Sequence, residues 1–315
     1  MAGERRAMKF APIRYEANRV RGSWGAPAGA WLDGGRVHFQ HGPIDLVIGA
    51  EGEPDAIGAA LAAVWDRFDG LLEELVAELP QLRSPVERSG ALRGPVARRM
   101  AAACRAHLPE FITPMAAVAG AVADEILGEM TEVSGLRRAY VNNGGDIAVH
   151  LAPGEGIRLG VVADPERATR HGHAFALYGT FALDASLPVR GIATSGWRGR
   201  SWSLGIADSV TVLARDAASA DAAATMIANA VNVDHPSVKR APAAAVDDNT
   251  DLGERLVTVD VGPLDGESID RALDAGAEKT RRLVECGVVW GAALMLQGHA
   301  RVVGGLKELP EFANR

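Results

Sequence analysis

Residues 112–130 read ITPMAAVAGAVADEILGEM, a helix-length run dominated by alanine, glycine and valine. Thr113 can cap a helix there. Pro114 suits the first helical position, because its ring pre-sets φ and its missing N–H would be an orphan at a helix start anyway. The alanines let such a helix lie close against a sheet. Small residues also let a helix end approach a ligand or a metal through its main chain, although tight packing alone would explain them equally well.

The surroundings supply that sheet. Strands are expected at 138–142 and 147–151, joined by Asn142-Asn143-Gly144-Gly145-Asp146, and again at 157–163, 175–183, 191–194 and 209–214. Upstream, 36–40 and 44–50 read as two strands around the turn His41-Gly42-Pro43. Ile57, Leu61, Val64, Phe68, Leu71, Leu72 and Leu75 recur at three- and four-residue spacing and predict one helix over 55–79, stopped by Pro80. A second helix is expected at 96–107. Downstream come an alanine-rich helix at 217–231, a mobile connector at 236–252, a strand at 257–261, a helix at 266–286 and a strand at 288–296. Strands and helices intermix without a repeat, which implies an α+β (mixed α/β) fold. Residues 1–35 read as an extended arm and 36–315 as a single domain.

The chain has 315 residues, enough to bury roughly three-quarters of its unfolded surface without disulfide or metal staples. Hydrophobic residues make up 48% and charged residues 23%, which argues against disorder. Lys and Arg number 33 against 40 Asp and Glu, a net charge of −7, and no basic stripe marks a nucleic-acid surface. Arg5, Arg6, Lys9, Arg14, Arg19 and Arg21 make the arm locally basic, but no aromatics interleave them, so it reads as solvated or as clasping a second subunit. With the apolar strand at 288–296 it suggests a homo-oligomer. The two cysteines, Cys104 and Cys286, form no CxxC pair and read as small core residues. The longest apolar runs, 115–123 and 288–296, fall well short of the ~20 residues that cross a bilayer. No membrane association is expected. Glu4 among arginines, with no apolar stretch behind it, implies a cytoplasmic protein.

Three segments can carry chemistry. The glycine pair in Asn143-Gly144-Gly145-Asp146 permits positive φ and a close approach of ligand to main chain, with Asp146 projecting at that edge; a plain hairpin turn uses the same residues. Thr194-Ser195-Gly196 ends a strand in small groups whose N–H donors can face an anion, and Arg198, Arg200 and Ser201 add cations and a hydroxyl suited to phosphate. An ordinary polar loop has this composition too. Asp221 and Thr225 lie four apart on one helix face, where a carboxylate and a hydroxyl suit a hard cation such as Mg²⁺. An acid in a first helical turn is also favoured by the helix dipole alone. The eight histidines make no HExxH, and neither GxGxxG, a P-loop nor GxSxG is present.

Taken in order, AAVAGAVAD (116–124), NGGDI (143–147), ATSG (193–196) and SVTVLARDAASADAAAT (209–225) resemble the ApbE superfamily, founded on FAD:protein FMN transferases. The resemblance covers about 36–300 and is closest to an uncharacterised ApbE-like branch. It implies a T-fold-related mixed sheet with packed helices that cradles FAD. It also implies Mg²⁺ held by Asp221, Thr225 and a main-chain oxygen near Ala116, with Asp221 and Thr225 the catalytic pair. Gly144, Gly145, Asp146, Thr194, Ser195 and Gly196 would lie near the flavin nucleotide, and FMN would pass to a flavoprotein acceptor. Three departures stand out. Val118-Ala119-Gly120 replaces the AKG of many transferases, so Ala119 stands where they have lysine. The insertion after TSG is shortened to 197–207. The exported lipoprotein leader of many members has no counterpart here. Two alternatives therefore stand beside a Mg²⁺-dependent FMN-transferase-like or FAD-hydrolysing enzyme: a non-catalytic nucleotide-binding protein, and a metabolic enzyme of the same fold with a non-flavin substrate.

Overall fold

A computed structural model describes residues 24–162, 177–199 and 201–308. The basic residues of the arm and Arg200 lie outside the described residues. Nine strands form the main sheet. In chain order the first five are β1 (Ala28–Trp31), β2 (Val37–His41), β3 (Ile44–Gly52), β4 (Leu136–Asn143) and β5 (Asp146–Leu151). After the hairpin β6 (Gly156–Val162) and β7 (Leu177–Asp184) come β8 (Gly191–Ser195), β9 (Ser209–Ala214), β12 (Gly291–Leu296) and β13 (His299–Gly304). The spatial order is β1-β2-β3-β4-β5-β8-β9-β12-β13. Two further strands, β10 (Val238–Pro242) and β11 (Leu256–Val261), pair only with each other.

The α+β class is the one expected, but every pairing in the main sheet is antiparallel, where a mixed sheet was expected. The connections explain this. Two-residue turns make the hairpins at 42–43, 144–145 and 297–298. The long connections from β3 to β4 and from β9 to β12 carry the helices.

The helices lie over one face: α1 (Pro54–Phe68), α2 (Leu71–Ala77), α3 (Leu79–Leu82), α4 (Pro95–Arg105), α5 (Val118–Thr131), α6 (Ala217–Ala230) and α8 (Gly266–Glu285), with the short α7 (Ala243–Val246) beside β10. Phe39, Leu46 and Ile48 of the sheet meet Val64, Phe68, Met100 and Ile126 from the helices. A second cluster joins Val210, Val212 and Leu294 to Ile227 and Leu273. On the opposite face Phe181 and Leu183 pack on Val149, Ile192 and Leu213.

Several expected boundaries shift for local reasons. The helix expected over 55–79 breaks at Gly70, whose φ is +88°, and Pro80 sits in the first turn of α3 instead of stopping a helix. The 112–130 stretch divides into a 3₁₀ turn, Pro114–Ala117, and α5. The connector at 236–252 contains β10 and α7, and Ala28–Trp31 of the expected arm pairs with β2 as an edge strand. Cys104 is buried as expected, whereas Cys286 is exposed.

α5 and α6 touch backbone to backbone. A Cβ on Gly120 would lie 2.2 Å from the Ala217 carbonyl oxygen. Gly120→Ala must push the two helices apart and is expected to cost about 3 kcal/mol, read as a lowered midpoint in chemical denaturation.

His107, after α4, is 3% exposed, and neither of its ring nitrogens has a partner. Burial, with help from the Lys279 ammonium, lowers its pKa to about 4. The unfolded chain takes up that proton near 6.5. His107 therefore leaves stability intact above pH 6.5 and removes it progressively as the pH falls from 6.5 to 4, by about 2 kcal/mol between pH 7 and 5. Urea unfolding across that range should show the slope in the wild type and a flatter one in His107→Phe.

Candidate functional site

The site is built where α5 crosses α6, above the β4–β5 turn and the end of β8. Asp216 caps α6 by accepting the Ser219 N–H at 2.7 Å. The two N–H groups just inside that cap, Ala217 and Ala218, are taken at 3.0 and 2.9 Å by the two oxygens of Asp124, which comes from α5. Burial pushes the Asp124 carboxyl up to about 6, against the pull of those two hydrogen bonds. One turn further along, Asp221 Oδ2 accepts the Gly120 N–H at 3.0 Å. Asp221 as a residue keeps some exposure, yet its carboxyl is enclosed. Burial and the neighbouring Asp146 carboxylate hold its pKa well above the ordinary range, while the main-chain donors of Gly120 and Ala119 oppose the shift. Among the described residues it forms no ion pair.

Asp146 opens β5 opposite Asn143 and accepts the Thr194 N–H at 3.2 Å, which ties the β4–β5 turn to β8. Asn142 folds its side-chain oxygen back to the Gly145 N–H at 2.8 Å. Gly144 and Gly145 have φ of +65° and +116°, values that side chains rarely adopt, and they form the two-residue hairpin turn between β4 and β5. The buried Asn143 donates to the Ala119 carbonyl at 3.1 Å. Thr194 Oγ1 shares a hydrogen bond with Thr211 at 3.0 Å.

The structure thus brings together Asp221, Asp146, Asn143, Thr194 and the start of α5. Thr225 follows Asp221 by one turn on the partly exposed face of α6, and the turn holding Ala116 packs against the same helix. Ser195 is half-buried. Gly196 is fixed by close approach to the Asp208 carbonyl, which a Cβ would meet at 2.3 Å. Arg198 and Ser201 are not drawn in. Arg198 is exposed, stacks 4.8 Å from the Trp197 ring centre, and its charge acts on Asp260 in β11; Ser201 is exposed.

Three further residues belong to this neighbourhood. Asp124 could have been suspected as the first acid after the small-residue start of α5. Cys104 donates to the Thr113 carbonyl at 3.2 Å, and burial, with the charges of Asp221 and Asp251, pushes its thiol up. Asp251 accepts from the Thr113 hydroxyl, a pairing across 138 residues that no local pattern announces. A separate cleft of about 560 Å³ lies past the start of α6, lined by Arg99, Asp124, Arg215, Asp216, Ser219 and Cys286 among others. Asp221, Thr225, Asp146, Thr194, Ser195 and Gly196 do not line it.

No helix among the described residues is long and apolar enough to cross a membrane. A family model described as "AbpE bacteria" matches residues 29–302. A UPF0280 protein of Methanopyrus kandleri is 35% identical over 219 residues, which cover 68% of this chain and 83% of that protein. Another, from Methanosphaerula palustris, is 35% identical over 198 residues, covering 62% and 77%. The apo crystal structure of the Pseudomonas stutzeri flavinyl transferase ApbE aligns over 92% of this chain and 98% of its own, with 12% identity and a TM-score of 0.41. With a family model spanning most of its length and motifs in the matching order, the chain belongs to the bacterial ApbE-like family, alongside the UPF0280 proteins of archaea.

Proposed function

We propose that this protein binds FAD with Mg²⁺ and acts at its phosphates, passing FMN to a flavoprotein acceptor. The observation that carries the reading is Asp221, an enclosed carboxylate facing Asp146 and resting on the Gly120 N–H, with no ion pair among the described residues. Two carboxylates brought together away from water are tolerated when a proton or a cation joins them.

The donor set fits a hard cation. Among the described residues no group of three or more His, Cys, Asp or Glu could hold a metal ion, so a cation at Asp221 would draw on that carboxylate, the Thr225 hydroxyl one turn on and the main chain of the Ala116 turn, which packs against the same helix. Mg²⁺ takes such oxygens and keeps several waters. Bound there, it would neutralise charge on a pyrophosphate.

The chain's own groups do the rest. Asp146 fixes the end of β8 through the Thr194 N–H, so Thr194, Ser195 and Gly196 present a rigid edge to an anion. The bare Gly144–Gly145 turn lets a nucleotide approach the main chain. Asn143 holds the first turn of α5 through the Ala119 carbonyl and keeps Gly120 in register with Asp221. Binding without transfer is favoured by one feature: Ala119 contributes no cation, and the exposed Arg198 stacks on Trp197. Stabilisation of charge developing on the phosphates would then fall short.

Calorimetric titration of the flavin-free protein should show FAD binding that tightens with Mg²⁺. Asp221→Asn and Thr225→Ala should each weaken it by about tenfold or more, as loss of a metal ligand does. FAD affinity indifferent to Mg²⁺ and to both substitutions rules the site out. Release of AMP with FMN transfer to an acceptor separates the enzyme from the binding protein.

Because its pKa is raised, Asp221 must lose a proton before it can hold a cation. The Mg²⁺-dependent part of FAD affinity should therefore rise with pH from 5.5 to 8. In Asp221→Asn that rise should vanish.

A further inference from the structure

Thr113 occupies the N-cap position of the 3₁₀ turn Pro114–Ala117 with extended backbone angles, but its side chain caps nothing. Its hydroxyl donates instead to Asp251. A threonine cap is worth about 1 kcal/mol, so diverting it implies a competing contact at least as good. The rest of Thr113 is also engaged. Its carbonyl accepts the Ala116 N–H at 3.1 Å and the Cys104 thiol at 3.2 Å. One residue thus joins α4, the Ala116 turn and the segment between α7 and β11.

That segment belongs to the β10–β11 hairpin, which is fastened at two places. At one end Thr258 is fastened to the loop after Gly196: its N–H donates to the Ser203 carbonyl at 2.9 Å and its buried hydroxyl to the Gly205 carbonyl at 2.8 Å. At the other end Arg255 stacks on Phe111, two residues before Thr113, and Asp251 takes the Thr113 hydroxyl. The charges of Asp251 and Asp221 both act on the Cys104 thiol, which places the hairpin tip in the electrostatic neighbourhood of Asp221.

We propose that Asp251 is a positioning residue for the cation site, acting through Thr113 to set the turn that carries Ala116. This rests on the reading of Asp221, Thr225 and Ala116 as that site. Asp251 does not touch the cation; it holds the hydroxyl of the residue whose carbonyl accepts the Ala116 N–H. Its role is therefore as a hydrogen-bond acceptor. A carboxylate that acted only through its field would depend on its charge.

The test is titration of the full-length protein with Mn²⁺ alone, following the free ion by electron paramagnetic resonance, with thermal melts on every variant. Thr113→Val and Asp251→Ala should weaken Mn²⁺ by about tenfold or more, the usual penalty when a group supporting a metal ligand is lost. Thr113→Ser and Asp251→Asn keep the hydroxyl and the acceptor, and should stay within about threefold of the wild type. Thr258→Val loosens the far end of the hairpin; it should lower the melting temperature and leave Mn²⁺ affinity unchanged, which separates positioning from general destabilisation. Asp251→Asn as weak as Asp251→Ala, with Thr113→Val unaffected, would make Asp251 a charge and overturn the proposal. If Mn²⁺ affinity requires Asp221 but ignores Thr113→Val and Asp251→Ala, this inference fails and the site stands. A wild type that does not bind Mn²⁺, or binds it as well as Asp221→Asn does, removes both.

Discussion

The contact between α5 and α6 governs the geometry of everything around it. Two helices packed through ordinary side chains keep their axes 8–10 Å apart. Here Gly120 allows the main chain of one to rest against the Ala217 carbonyl of the other, and Gly191 lets β8 approach the start of the same helix from beneath, where a Cβ would meet the Asp216 carbonyl at 2.0 Å. The first turn of α6 is held between two surfaces without side chains. The first N–H groups of a helix have no partners within it and must find them elsewhere. Asp124 and Asp216 supply them.

The same enclosure creates the site's electrostatic problem. The carboxyl of Asp124 is deeply buried but compensated by two main-chain donors. Asp221, one turn on, has the Gly120 N–H on one oxygen and the field of Asp146 against it. A group in that position gains from whatever neutralises it. At low pH that is a proton. On the proposed reading it is otherwise a cation that can take one carboxylate and neutral oxygens. Lysine or arginine would have settled the matter from within the chain, and at the nearest position in the α5 turn the residue is Ala119, whose carbonyl serves Asn143.

Much of this was legible from local patterns. The alternating strands around 138–151, the three-and-four spacing of α1, and the Asp221/Thr225 register depend only on neighbours within a turn or a pleat, and they stand as read. So does the class of fold. Misreadings arose where a local signal met a tertiary one. Gly70 broke an apolar period that runs unbroken through it. Thr113 has the residue type and place of a cap but found a better partner in Asp251. Arg198, in a loop whose composition suits phosphate, stacks on Trp197. The strand His299–Gly304 is too short to announce itself and exists because β12 offers it an edge. The pairing of Asp124 with the start of α6, 93 and 94 residues away, is beyond any window of sequence.

Those separations have a thermodynamic consequence. Gly120 and Asp221 are 101 residues apart, Asp146 and Thr194 are 48, and Thr113 and Asp251 are 138. Contacts this distant are closed late, after the entropy of large loops has been spent. No fragment of the chain contains the site. It exists only in the fully assembled molecule, and a ligand that spans it distinguishes that state from every partly folded one. Ligand concentration would then set the population of assembled protein by mass action, adding about 2.7 kcal/mol to its stability at a hundred times the dissociation constant. A cell poor in the ligand would hold less of the protein, simply because fewer chains would stay closed.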